Sequence, residues 1–232
     1  MAHRSIEGFA EMLACLGQTG VGGASEVREG GLVGARVPWA ADNHWIDAAV
    51  ADAGAAVVAA PHCVWSTAVP DGRVELPDIA MPCMGLELGD LPAGEGTEVG
   101  TPSLTVVGEL NDRAYGQPDR LGPLIAAIDD PRVRTHGLRV DGEWACVALT
   151  LRVGDDVSVQ YVATDAGYRR RGLAGRLLSA ALTDARADGL RTATLQASPD
   201  GRGVYERLGF RTVATLRASV ELPARPDRQS DG

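Results

Sequence analysis

Between residues 157 and 188 the chain reads as strand, tight glycine-bearing loop and amphipathic helix in direct succession. "VSVQYVAT" (157–164) is β-branched and reads as a strand. "YRRRGLAGRL" (168–177) follows, with three consecutive arginines and then Gly172 and Gly175. Leu173, Leu177, Leu178, Ala181, Leu182 and Ala185 then share one face of a helix over 172–188, and Gly189 supplies its stop. A strand feeding directly into such a helix commits this region to a sheet with the helix packed on it. The start of a helix is a poor place for cations, because the helix dipole is positive there. The arginine cluster therefore asks for an anion.

The surroundings of this unit are strand-rich. "VRTHGLRV" and "EWACVALTLRV" predict two strands joined at Asp141-Gly142, and Gly154-Asp155-Asp156 turns the second into 157–164. "TATLQA" and "FRTVATLRASVEL" predict further strands, with a short helix "GRGVYERL" between them ending at Gly209. "GELNDRAYG" and "RLGPLIAAI" predict one or two short helices. In the first half, Ile6, Phe9, Leu13 and Leu16 are at helical spacing over 5–17, and "LVGARV" (32–37) reads as a strand. A second helix is expected from Asp42, with Trp45, Ile46, Ala49, Val50 and Ala53 on one face and a stop near Gly54. "AAVVAA" and "HCVWSTAV" read as strands separated by Pro61, "PDGRVELPD" as a loop or short helix, and "MPCMGLEL" (81–88) as a strand. The Gly-, Pro- and acid-rich run 89–103 is the best linker. The expected division is a lobe at 1–95, a linker at 96–104, a domain at 105–222 and a disordered tail at 223–232.

Charge separates the halves. Residues 1–100 hold 4 Arg and 14 Asp/Glu, net −10; residues 101–232 hold 18 Arg and 17 Asp/Glu, net +1. The acidic half argues against nucleic acid or an anionic membrane as partner. Cys15, Cys63, Cys83 and Cys146 form no CxxC pair and read as buried reduced thiols of a cytoplasmic protein. No run of about 18 apolar residues suggests a membrane span, and the N-terminus lacks the pattern of a signal peptide.

Glycines at a helix start aim unpaired backbone N–H groups at a phosphate. A nucleoside-triphosphate loop would need GxxxxGK followed by Ser or Thr, and the chain has no lysine at all. A dinucleotide fold would need GxGxxG, and its parallel unit conflicts with the flanking hairpins. The bland alternative is a set of solvated arginines on a turn. Against it stands the order Arg169-x-x-Gly172-x-Ala174 after "VQYVAT", which resembles the acyl-CoA-binding motif of the GNAT superfamily of N-acyltransferases: Arg or Gln, two residues, Gly, one residue, Gly or Ala. "LQASPDGRGVYERLGF" (195–210) resembles the second hallmark of that superfamily, a strand and short helix ending in Tyr-x-x-x-Gly-Phe. Both lie within 162–210 in the right order.

The resemblance implies an α+β fold, a mixed α/β sheet that is central, mostly antiparallel and splayed, flanked by helices, in the C-terminal half. It implies pantetheine bonded to backbone groups of the strand Val162, Ala163 and Thr164. Pyrophosphate would rest on the N–H groups of Arg169, Arg170, Arg171, Gly172, Leu173, Ala174 and Gly175, with Arg169 and Arg171 helping and Arg170 pointing outward. Tyr205 matches the tyrosine near the CoA sulfur and would donate to the departing thiolate. Ser198 stands where many members have Asn, which puts that contact to the pantetheine arm or the helix start in question. The implied co-substrate is acetyl-CoA, without metal. The implied acceptor is a small-molecule or peptide amine, and the chain would be a monomer or homodimer.

A base is not legible. Gln160 cannot be one, while Glu143, Asp112 and Glu109 are candidates alongside ordered water or an amine of low pKa. His136 reads as an ordinary strand residue. "VVAAPHCVWSTAVPDG" and "MPCMGLELGDLP" resemble, through the Trp65 strand and Met81-Pro82-x-Met84, the first half of a group of actinobacterial-type proteins built from two GNAT-like halves. That implies a smaller, degenerate first lobe and an acceptor site near the junction. Asn43, His44 and Trp45 could reach such a cleft, although Trp45 as core and the other two in a helical first turn is the simpler expectation. A non-catalytic CoA-binding module and an O-acyltransferase are the other readings.

Overall fold

The computed structural model describes residues 1–222 except 53, 56, 58, 93–97 and 118. The expected tail and part of the expected linker lie outside the described residues. The elements in chain order are α1 (Ala2–Gln18), β1 (Ser25–Glu29), β2 (Leu32–Arg36), β3 (Ala48–Ala51), β4 (Cys63–Ser66), β5 (Arg73–Glu87), α2 (Leu104–Tyr115), α3 (Gly122–Ala126), β6 (Val133–Val140), β7 (Glu143–Val153), β8 (Asp156–Thr164), α4 (Leu173–Ala187), β9 (Thr192–Gln196), α5 (Arg202–Arg207) and β10 (Arg211–Glu221).

The strands make one ten-stranded sheet in the order β1-β2-β3-β4-β10-β5-β9-β8-β7-β6. Its pairing reads the same from either end: β3–β4 and β8–β9 are parallel, and every other neighbour pair is antiparallel. The two halves thus repeat one plan and trade their last strands. β5 of the first half lies between β9 and β10 of the second, and β10 lies between β4 and β5. The stretches expected as separate lobes, 1–95 and 105–222, therefore share a single sheet. Between β8 and β9 the second half carries α4, while β3 and β4 are joined by residues 52–62.

Helix α1 is the hub. Residues 12–17 are all buried, as a helix that is apolar all round must be. It packs on β1, β2 and β3 and also on β7, β8 and β9, so the sheet wraps around it. Two glycines set its approach. A Cβ at Gly17 would fall 2.6 Å from the Ser25 carbonyl oxygen, and one at Gly8 would fall 2.4 Å from Ser158 Oγ and 2.6 Å from Ser158 Cβ. Gly8→Val is therefore expected to lower unfolding stability by about 2–3 kcal/mol through overpacking. Gly89→Ala, where a Cβ meets nothing within 4 Å, should leave urea denaturation within about 0.5 kcal/mol of wild type. Equal midpoints for the two variants would contradict this docking.

Three first-half expectations are corrected. The described residues of 42–54 form turns and the strand β3, not a helix, and Ala53 lies outside the described residues. Ala48–Ala51 are all buried, as suits a strand covered on both faces. The acid that organises the segment is Asp47, whose carboxylate accepts the N–H of Val37 at 2.6 Å and of His62 at 2.8 Å. Arg73–Asp78 belong to β5 rather than to a loop or short helix. Pro77 is tolerated there because the β5–β10 register slips between Glu75 and Ala80. In the "AAVVAA" stretch the described residues 55, 57, 59 and 60 lie in no strand, and β4 is confined to Cys63–Ser66. The second-half strands and helices fall where the sequence places them, within a residue or two apart from the earlier start of α2.

Candidate acyl-CoA cleft

The cleft begins where β8 and β9 part. They pair in parallel from Asp156↔Thr192 to Val159↔Leu195 and no further. Below the fork, the buried Asp156 carboxylate accepts hydrogen bonds from Thr192 Oγ1 at 2.5 Å and Thr194 Oγ1 at 2.6 Å, which staples the strands. Above it, Tyr161 takes φ +48 and the register with β7 slips between Val147 and Leu149. A non-glycine residue at positive φ marks a bulge that re-aims the strand. Val162, Ala163 and Thr164 follow, with no strand partner on their β9 side among the described residues. The Val162 carbonyl faces the opening, where the exposed Tyr115 at the end of α2 donates its hydroxyl at 3.4 Å. Tyr115 was not singled out in the sequence; its only signal was its place before the helix-ending Gly116.

The loop from Asp165 to Gly172 aims α4 at the same opening. Asp165 accepts the Gly167 N–H at 3.0 Å and pairs with Arg113 at 2.9 Å. Gly172 starts α4 at φ +73, and no side chain caps the helix. Its first internal bond is from Arg176 N–H to the Gly172 carbonyl at 3.1 Å. The N–H groups of Leu173, Ala174 and Gly175 thus lack a helical acceptor, the arrangement that general helix physics makes favourable for an anion.

The arginines divide their work. Arg169 donates to the Thr164 carbonyl at 3.2 Å and the Ala114 carbonyl at 2.5 Å, tying the loop to the end of α2. Arg171 donates to the Gly167 carbonyl at 3.3 Å and lies 5.2 Å from the centre of the Tyr168 ring. Arg170 is exposed at φ +62, with no side-chain hydrogen bond among the described residues.

Tyr205 on α5 is buried in the core beneath α4. Gly201 makes room for it: a Cβ there would lie 3.0 Å from Tyr205 Cε2 and 3.3 Å from its hydroxyl. Burial first, and then Tyr115 and Cys146, push the phenol well above its ordinary pKa, so it is a hydrogen-bond donor throughout the working pH range. Ser198 is exposed, and its Oγ accepts the Gly201 N–H at 3.2 Å, so it serves the start of α5.

The carboxylates considered as bases are placed elsewhere or occupied. The buried Asp112 accepts the N–H groups of Arg120, Leu121 and Gly122 at 3.0–3.1 Å and so holds the start of α3. Glu143 is exposed at the β6–β7 hairpin, and Glu109 is exposed on α2. His136 is half-buried with Nε2 2.9 Å from Thr150 Oγ1, and desolvation there lowers its pKa to about 4. Cys146 accepts from Thr164 Oγ1 at 3.2 Å, and burial raises its thiol to about 11, which makes it a poor nucleophile.

Cavities open among the described residues on both sides of the fold. One of about 380 Å³ is lined by Asp42, Asn43, Gly116, Gln117 and Arg120, where the halves meet beside Tyr115. Asn43 Oδ1 accepts the Trp45 N–H at 2.8 Å, and Trp45 is 44% exposed rather than core. The larger, about 670 Å³, lies between the far end of α4 and β6–β8 and touches none of the expected site residues. Among the described residues no cluster of three or more metal-ligating side chains is present, and no helix is long and apolar enough to cross a membrane.

Residues 122–221 match the family model described as the acetyltransferase (GNAT) domain. Two solved structures are similar over nearly the whole chain. One is a putative acetyltransferase of the GNAT family from Novosphingobium aromaticivorans, 22% identical, with 91% of this chain and 96% of that one covered at a TM-score of 0.59. The other is a GCN5-related N-acetyltransferase from Kribbella flavida, 19% identical, with 93% and 96% covered at a TM-score of 0.59. A search of curated proteins found no match. The chain has the GNAT fold, and its residues 122–221 are similar to the GNAT acetyltransferase domain.

Proposed function

We propose that the chain is an N-acetyltransferase that takes acetyl-CoA as co-substrate and transfers its acetyl group directly to a primary amine. The observation that carries this is the convergence on one opening of the β8–β9 fork and the uncapped, glycine-led start of α4, with the Tyr205 phenol in the core packed under that helix. Pantetheine would run along Val162–Thr164 with its pyrophosphate on the Leu173–Gly175 N–H groups, and the thioester would lie at the fork. The neutral amine forms the N–C bond, the C–S bond breaks, and its electron pair stays on sulfur. Tyr205 steadies that thiolate with a hydrogen bond. Full proton transfer from phenol to thiolate is uphill by about 2 kcal/mol on reference pKa values, and burial of the phenol makes it more so.

The cavity at Asp42, Asn43 and Gln117 supports an acceptor entering between the halves, and the acidic first half favours a cationic amine such as an aminoglycoside, polyamine or peptide N-terminus. The test is CoA release from acetyl-CoA across such an amine panel, beside thermal shift with CoA. Amine-dependent release supports the enzyme. A thermal shift with silence across the panel supports a non-catalytic CoA-binding module instead.

A further inference from the structure

Gln160 is the first residue of β8 past the fork, and Gln196 the first of β9, since their ladder ends at Val159↔Leu195. A side-chain bridge takes over there: Gln160 Nε2 donates to Gln196 Oε1 at 3.3 Å and to Ser158 Oγ at 2.8 Å. The direction of this bridge is fixed from α1. Gln196 Nε2 reaches the Ser5 carbonyl at 2.7 Å and Ser5 Oγ at 2.9 Å. A carbonyl only accepts, so the Gln196 nitrogen must face it and the Gln196 oxygen must face Gln160. Ser5 Oγ spends its own hydrogen on the Leu195 carbonyl at 3.0 Å. Gln160 therefore presents its nitrogen inward, with both hydrogens used, and its oxygen outward. That oxygen has no donor among the described residues, and it is not among their sealed, unpartnered side-chain atoms.

Alternation along β8 sets the face. Val157 and Val159 belong to the core under α4, together with Tyr205. Ser158 faces α1, as its closeness to Gly8 shows, and Gln160 follows it. The fork thus carries a phenol on one face and an amide oxygen on the other. The oxygen is on the face of α1, α2 and α3.

We propose that Gln160 Oε1 orients the acceptor: it accepts one N–H of the neutral amine and turns the nitrogen lone pair toward the thioester carbon. This rests on the acetyltransfer reading above. Gln160 takes no proton. The proton released as the N–C bond forms goes to water, and the C–S electron pair leaves on the CoA thiolate. Ser5 and Gln196 are positioning residues for it, which gives the first-half helix a part in acceptor recognition.

The test is steady-state kinetics of Gln160→Leu with whichever panel amine the wild-type protein acetylates. The expected result is a KM for the amine raised about ten-fold or more, the loss of one hydrogen bond. The KM for acetyl-CoA and the CoA-induced melting shift should stay within two-fold of wild type. If the leucine variant does not fold, Gln160→Met fills the same space and gives the same readout. An unchanged amine KM, or two KM values rising together, overturns the role of Gln160 while leaving the acetyltransfer reading standing. A wild-type protein that acetylates no amine overturns both, and is seen before any variant is made.

Discussion

Gly172→Asp is expected to abolish binding of CoA and acetyl-CoA, leaving no thermal shift at ligand concentrations that saturate the wild-type protein. Two effects add. Gly172 holds φ +73 at the start of α4, a conformation that costs an L-residue about 1–2 kcal/mol. A carboxylate there would also point its charge at the N–H groups of Leu173–Gly175, where the pyrophosphate is proposed to sit. Capping by the new Asp would occupy one of those donors, so the variant should stay folded while losing its ligand. Gly172→Ala separates the two causes: it carries the strain without the charge and should bind weakly rather than not at all. Arg170→Ala is the matching control, because Arg170 is exposed and makes no side-chain hydrogen bond among the described residues. Its binding should fall by less than about three-fold. An Arg170 variant hurt more than Gly172→Asp would show that the anion lies elsewhere on the loop.

Tyr205→Phe should lower kcat about a hundred-fold and leave the affinity for acetyl-CoA within about two-fold, the signature of a donor needed mainly where charge develops. The ring is buried against Phe210 at 6.2 Å between centroids, and phenylalanine keeps that packing. The hydroxyl is what is lost. Because the phenol's pKa is raised by burial, the wild-type rate should not fall through loss of this proton below about pH 10. Equal losses in kcat and in acetyl-CoA affinity would make Tyr205 a wall of the pantetheine channel instead.

The second half was legible because its signals are local. Hairpin turns at Asp141-Gly142 and Gly154-Asp155, the apolar stripe of α4 and the glycines around it are each set within a few residues. The first half hid for the opposite reason. A short apolar run such as Ile46–Ala51 suits a helix or a buried strand equally, and only its pairing with β2 and β4 decides. Arg73–Asp78 looked like a loop because its partner strand lies more than 140 residues away. The same holds at the site. Residues 169–175 and Tyr205 could be named from their motifs, but the commitment of Arg169 to the end of α2 could not. Nor could the sequence show that Asp112 is consumed by three N–H groups, or that Ser5 fixes an amide 191 residues away.

The traded strands bear on how such a chain is made. During synthesis the first hundred residues emerge with β4 and β5 separated by a gap that only β10 can fill, and β10 ends at Glu221. The early half cannot complete this sheet on its own; the facing edges of β4 and β5 stay unpaired until β10, which ends at Glu221, has been made. Folding vectorially, half by half, is thereby replaced by a single late event. An aggregation-prone interval follows, of a kind that two independently folding domains of the same size would escape.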